Sequence, residues 1–162
     1  MCLRTVVAAE EGTSWTYDVD AAALRGAETI LFVEDEAFVR DVTSDVLRSA
    51  GYTVLTARNP SEALIAYGEH PGAVKLLLAD VVLPGETGRV LADRLRTRNP
   101  KLRVLFVTGY AEQMGPSDEH DGDCLAKPFS TALLLRKIRR VLDCEQMLAG
   151  EQSHVRHAAG NA

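Results

Sequence analysis

The chain has 162 residues, 46% hydrophobic and 25% charged, with 18 Lys plus Arg against 23 Asp plus Glu and a formal net charge of −5. This mixture fits one globular domain with tails, and it argues against both a strongly basic nucleic-acid binder and a disordered acidic tail. No run approaches the roughly 18 apolar residues of a membrane span, Glu10 and Glu11 follow the N-terminal apolar patch too soon for a secretory signal, and Cys2, Cys124 and Cys144 are too few and too scattered for a disulfide framework or a zinc site.

Residues 1–27 show no clean period, and Gly12, Thr13 and Ser14 break them, so they read as a tail or linker. From Thr29 to Val33 a short apolar run rich in strand formers predicts a buried strand, ending in Glu34-Asp35-Glu36. Val39, Val42, Val46 and Ala50 then recur at helical spacing and predict the buried stripe of a first helix, with Gly51 just past its end. Tyr52 to Ala57 predicts a second strand, and Asn59-Pro60-Ser61-Glu62 opens a helix that Pro71-Gly72 ends.

Val74 to Ala79 predicts the third strand, followed by the Leu83-Pro84-Gly85 loop and a helix carrying Val90, Leu91 and Leu95, which Asn99-Pro100 stops. Leu102 to Val107 is the fourth predicted strand. Tyr110 to Asp123 is rich in Gly, Asp and Glu and supports at most a short helix. Cys124 to Ala126 is a short fifth strand, and Leu134, Ile138, Val141 and Leu142 mark a final helix. The apolar stripe fades past Gln146, leaving a polar tail in which His154 and His157 have no companion ligands.

Strands alternating with helices five times predict an α/β fold: a flavodoxin-like, doubly wound, five-stranded parallel sheet in the order 2-1-3-4-5 with helices on both faces. Ligands of such sheets bind beyond the carboxyl ends of the strands. The first strand ends in Glu34-Asp35, the third in Asp80, the fourth in Thr108 and the fifth in Lys127-Pro128, whereas the edge strand ends in Ala57-Arg58. The four polar endings therefore fall on four neighbouring strands. Carboxylates gathered at one point repel, and one pKa should rise unless a cation intervenes. A hard divalent ion such as Mg²⁺ suits two or three carboxylates plus waters. A lysine and a hydroxyl beyond Asp80 are donors for a tetrahedral anion. Together these groups meet the needs of phosphoryl transfer to an aspartate.

Four motifs carry a family resemblance: Ile30-Leu-Phe-Val-Glu-Asp-Glu36, Leu76-Leu-Leu-Ala-Asp-Val-Val-Leu-Pro-Gly85, Val104-Leu-Phe-Val-Thr-Gly-Tyr110 and Leu125-Ala-Lys-Pro-Phe129. In order and at strand ends, they resemble the receiver domain of two-component response regulators, and the wording Val-Thr-Gly-Tyr-Ala is most similar to receivers of, or derived from, hybrid sensor histidine kinases. The resemblance implies Asp80 as phosphoacceptor, Glu34, Asp35, Asp80 and the Val82 carbonyl as Mg²⁺ ligands, Thr108 as the switch hydroxyl, and Lys127 as the phosphate-facing lysine before a cis proline. It also implies a cytoplasmic phosphorelay component that takes phosphate from a sensor histidine kinase or phosphotransfer protein. Its switched face, formed by the fourth helix, fifth strand and last helix, would engage a downstream protein that the sequence does not name, with no direct nucleic-acid or membrane partner. On this reading the chain divides into an N-terminal segment 1–27, a receiver 28–145 and a C-terminal tail 146–162, and it catalyses only its own phosphorylation and dephosphorylation.

Three positions depart from the family pattern. Glu34 stands for the more usual Asp, Cys124 occupies the place of an aromatic that swings inward, and the stretch after Tyr110 is broken by Gly and Pro. Two other functions compete. A haloacid-dehalogenase-type phosphatase wants a second Asp two residues after its nucleophile, where Val82 stands. A non-phosphorylatable interaction module would not need the complete set of acid, hydroxyl and lysine. No G-x-G-x-x-G follows the first strand, which excludes a dinucleotide site.

Overall fold

A computed structural model of the chain describes residues 22–109 and 124–154. Its elements are β1 (Thr29–Val33), α1 (Ala37–Ser49), β2 (Thr53–Ala57), α2 (Pro60–Glu69), β3 (Val74–Asp80), α3 (Gly88–Arg98), β4 (Arg103–Thr108), β5 (Cys124–Ala126) and α4 (Thr131–His154). The five strands are parallel in the order β2-β1-β3-β4-β5, as the alternation predicts.

The inner strands β1, β3 and β4 are apolar on consecutive residues because both faces of the sheet are covered. Ile30, Phe32, Leu76, Leu78 and Leu105 point to one side and pack with Leu47 of α1 and Leu134 and Ile138 of α4. Leu31, Val33, Leu77 and Ala79 point to the other and pack with Ala63 and Tyr67 of α2 and Leu91 and Leu95 of α3. Each fully buried Leu or Ile contributes roughly 1.5–3 kcal/mol. These two cores hold the strand ends rigidly, and the strand ends carry the polar residues.

Local chemistry fixes the helix starts. The Asn59 side chain accepts a hydrogen bond from the Glu62 amide at 2.9 Å, and Pro60 opens α2. The Thr87 hydroxyl accepts from the Val90 amide at 3.3 Å at the start of α3. Gly51, at φ +99°, follows α1, and a Cβ there would lie 2.5 Å from the Gly26 carbonyl oxygen. The chain needs glycine there both for the left-handed turn and for the close approach.

Two expectations are corrected. The buried residues within α1 are Thr43, Ser44 and Leu47; of the predicted stripe only Ala50, at the C-cap, is buried, Val39 and Val46 are half-buried, and Val42 is 48% exposed. The small hydroxyl residues bury cheaply because a side-chain donor finds a backbone acceptor one turn back: Ser44 Oγ donates to the Arg40 carbonyl at 2.6 Å. Second, α4 continues to His154, so the helix outlasts the apolar stripe that fades at Gln146. Residues 22–28 are tied to the rest of the domain. The Gly26 amide donates to the Ala50 carbonyl at 3.2 Å, the Tyr52 hydroxyl donates to the Leu24 carbonyl at 3.4 Å, and Arg139 pairs with Glu28 at 2.9 Å. The short helix expected within 110–123, the remainder of the N-terminal segment and His157 lie outside the described residues.

Candidate functional site

The backbone ladders deliver the side chains to one place. The Glu34 amide donates to the Ala57 carbonyl at 3.1 Å, which carries the β1–β2 ladder one residue beyond β1. Asp80 is the last residue of β3 and pairs in register with Val107 of β4, so Thr108 follows one step beyond it. The Lys127 amide donates to the Thr108 carbonyl at 2.7 Å, extending the β4–β5 ladder past β5. The Lys127–Pro128 peptide bond is cis, as the resemblance implies.

Lys127 Nζ donates to Glu34 Oε2 and to Asp80 Oδ2, each at 2.7 Å. Glu34 is 2% exposed, Asp80 8% and Thr108 2%. The Val82 amide donates to Asp80 Oδ1 at 2.8 Å, so both oxygens of the Asp80 carboxylate have a donor. Glu34 Oε1 accepts from the Glu36 amide at 3.3 Å. Burial pushes the Glu34 carboxyl above its usual range, while the Lys127 ammonium pulls it back only in part; repulsion from Asp80 is the smallest contribution. Burial works against the charge of Lys127, but its hydrogen bonds to Asp80 and Glu34 outweigh it and hold the ammonium above its ordinary pKa.

Of the three predicted carboxylates, the structure brings two onto Lys127. Glu34 and Asp80 meet on Lys127, whereas Asp35 is exposed and its side chain takes no hydrogen bond from any described residue. Among the described residues no three His, Cys, Asp or Glu side chains are grouped as a metal cluster. The physical reason is charge: the ammonium neutralises two buried carboxylates at close range, and the extra methylene of a Glu lets Glu34 reach it. The donor set nonetheless fits a hard divalent cation, since carboxylates and backbone carbonyls are oxygen ligands, and the Asp35 carboxylate and Val82 carbonyl accept no hydrogen bond from described residues.

Two residues of the site carry no sequence signal. Arg40, on the first turn of α1, donates from Nη1 to the Glu34 carbonyl at 2.7 Å and to the Asp35 carbonyl at 3.3 Å. Gly88 opens α3 against the end of β3, where a Cβ would lie 2.2 Å from the Asp80 carbonyl oxygen. Both contacts depend on folding and have no spacing that a sequence could display. A cleft of about 860 Å³ at the opposite ends of the strands, lined by Tyr67, Val74, Lys75 and Arg103 among others, includes none of the predicted site residues. The site is a polar junction, suited to a small charged group.

Residues 30–139 match the sequence profile of the response regulator receiver domain. The chain belongs to the response regulator receiver family. The receiver is 34% identical over 116 residues to the response regulator receiver protein CpdR of Brucella abortus, covering 70% of this chain and 95% of that protein. It is 39% identical over 127 residues to the sensor kinase CckA of the same organism, covering 76% of this chain and 13% of the kinase, which accords with the hybrid-kinase likeness of its motifs. The chain thus spans about an eighth of CckA's length and nearly all of CpdR's. Among solved structures it is similar to the response regulator protein TrrA from Thermotoga maritima in complex with Mg²⁺-BeF, with 27% identity and a TM-score of 0.62, covering 71% of this chain and 99% of that one. It is a receiver domain of two-component signalling. Among the described residues, no helix is long and apolar enough to cross a membrane.

Proposed function

We propose that Asp80 accepts a phosphoryl group from a phosphohistidine of a sensor histidine kinase or phosphotransfer protein. The observation that carries this reading is the Lys127 ammonium 2.7 Å from Asp80 Oδ2, in a site where a hydroxyl residue, Thr108, ends the adjoining strand. A carboxylate oxygen of Asp80 attacks phosphorus, the bond from phosphorus to the imidazole nitrogen breaks, and the nitrogen leaves with the electron pair. The acyl phosphate so formed is later hydrolysed by water, which restores the carboxylate. The chain thereby acts only on itself.

Lys127 holds positive charge where the phosphoryl oxygens arrive, and the Thr108 hydroxyl donates a hydrogen bond to one of them. The Val82 amide orients the Asp80 carboxylate. The carboxylates of Glu34, Asp35 and Asp80 and the Val82 carbonyl are the groups that would hold Mg²⁺, which supplies charge neutralisation for an incoming anion. The Mg²⁺-BeF complex of the similar TrrA supports that assignment. The receiver unit takes in 28–145, with residues 22–27 docked on it and α4 continuing past 145, and its setting is the cytoplasm, where the histidine kinase's phosphoryl donor is generated. The phosphorylated form presents an altered surface to a downstream protein.

Incubation with a small phosphodonor and Mg²⁺, followed by intact-mass measurement, tests the reading. Wild type should gain one labile phosphoryl group and Asp80→Asn none; equal uptake by both would overturn it.

A further inference from the structure

Asp35 is the puzzle of the site. It is exposed, and among the described residues nothing hydrogen-bonds to its carboxylate, so the backbone is what sets the point from which that side chain departs. The N-cap residue Glu36 makes no side-chain capping bond, and two other side-chain contacts tie this backbone. Glu34 Oε1 accepts from the Glu36 amide at 3.3 Å. Arg40 Nη1 bridges two consecutive carbonyls, Glu34 at 2.7 Å and Asp35 at 3.3 Å. Arg40 is half-buried and forms no ion pair with any described residue. A guanidinium in that position, spent on backbone carbonyls rather than carboxylates, fixes peptide planes.

We propose that Arg40 is a positioning residue for the divalent-cation site: by holding the Glu34 and Asp35 carbonyls it aims the otherwise unsupported Asp35 carboxylate. The inference rests on the reading of Glu34, Asp35, Asp80 and Val82 as metal ligands. Both bonds come from Nη1, whose two N–H groups lie in the fixed guanidinium plane and one bond further from Cα than a lysine Nζ, so a lysine reaches both carbonyls poorly. Residues that orient metal ligands commonly change affinity by about 10–100-fold when lost.

The test is calorimetric titration of Mg²⁺ into wild type, Arg40→Lys, Asp35→Asn and the double variant, each checked for a cooperative melt. Arg40→Lys keeps the charge, so a change in Kd reads position rather than electrostatics. It should weaken Mg²⁺ binding by about tenfold, the low end of that range, and should add little in the Asp35→Asn background. Amide exchange at Asp35 and Glu36 in metal-free protein should also quicken in Arg40→Lys, a readout independent of the metal. A Kd within twofold of wild type, unchanged exchange, or the same loss with and without Asp35 would overturn the proposal alone. If Asp35→Asn leaves Mg²⁺ affinity at the wild-type value, the metal-site reading falls and this inference falls with it.

Discussion

Replacing Lys127 with Met removes one ammonium and leaves two carboxylates behind. Removing one partner of a buried ion pair costs about 3–5 kcal/mol. The Lys127 side chain is 24% exposed and that of Asp80 12%, so solvent screens part of the effect and about 2–3 kcal/mol is expected at pH 8. The deficit should depend on pH, and the sign follows from Glu34. Its folded carboxyl already lies above its ordinary pKa through burial, with Lys127 opposing the rise. A raised carboxyl favours the folded state when protonated, and that contribution is lost as pH climbs through the folded pKa. Without Lys127 the rise is larger, at 1.36 kcal/mol per additional pKa unit. Protonating Glu34 then relieves the uncompensated charge, so the gap between Lys127→Met and wild type should narrow as pH falls from 8 to 5. Urea unfolding of both proteins across this range measures it. A gap that stays constant, or widens towards acid, would refute the argument that Lys127 serves as the counter-ion of Glu34.

Three further outcomes are expected. Millimolar Mg²⁺ should stabilise wild type, by roughly 2.7 kcal/mol at a hundredfold excess over Kd, and Asp35→Ala far less; equal thermal shifts would place the cation elsewhere. Gly88→Ala should destabilise by about 1–3 kcal/mol despite alanine's better helix propensity and should slow phosphorylation, because the new methyl meets the Asp80 carbonyl; a wild-type melt and rate would show that α3 shifts away freely. Beryllofluoride, standing in for the phosphoryl group, should slow amide exchange most across residues 108–123 in wild type, and Thr108→Ala should lose most of that protection; protection that survives the substitution would remove Thr108 from the switch.

The fold was legible because its decisive signals are local. Apolar runs long enough for one strand, each closed by a polar residue, dictate a parallel sheet and bring Glu34, Asp80 and Lys127 together. The face of α1 was not legible, because hydropathy ranks Val42 above Thr43 and Ser44, whereas packing against β1 and β2 favours small side chains whose hydroxyls can be satisfied by the helix itself. The different fates of neighbouring acids were not legible either. Nothing in the pair Glu34-Asp35 says that one carboxylate is buried on a lysine 93 residues away while the other faces solvent. Arg40 and Gly88 act through backbone carbonyls that only the folded chain brings near them.

The phosphoacceptor claim is tested most directly by locating the phosphoryl group. Wild-type protein treated with a small phosphodonor and Mg²⁺ is reduced with borohydride, which converts an aspartyl phosphate to homoserine, and is then digested and sequenced by mass spectrometry. Homoserine is expected at position 80 and nowhere else, dependent on Mg²⁺ and on the donor. Homoserine at position 35, 5-hydroxynorvaline (the product of a reduced glutamyl phosphate) at position 34, or a phosphate that resists reduction on another residue, would contradict it.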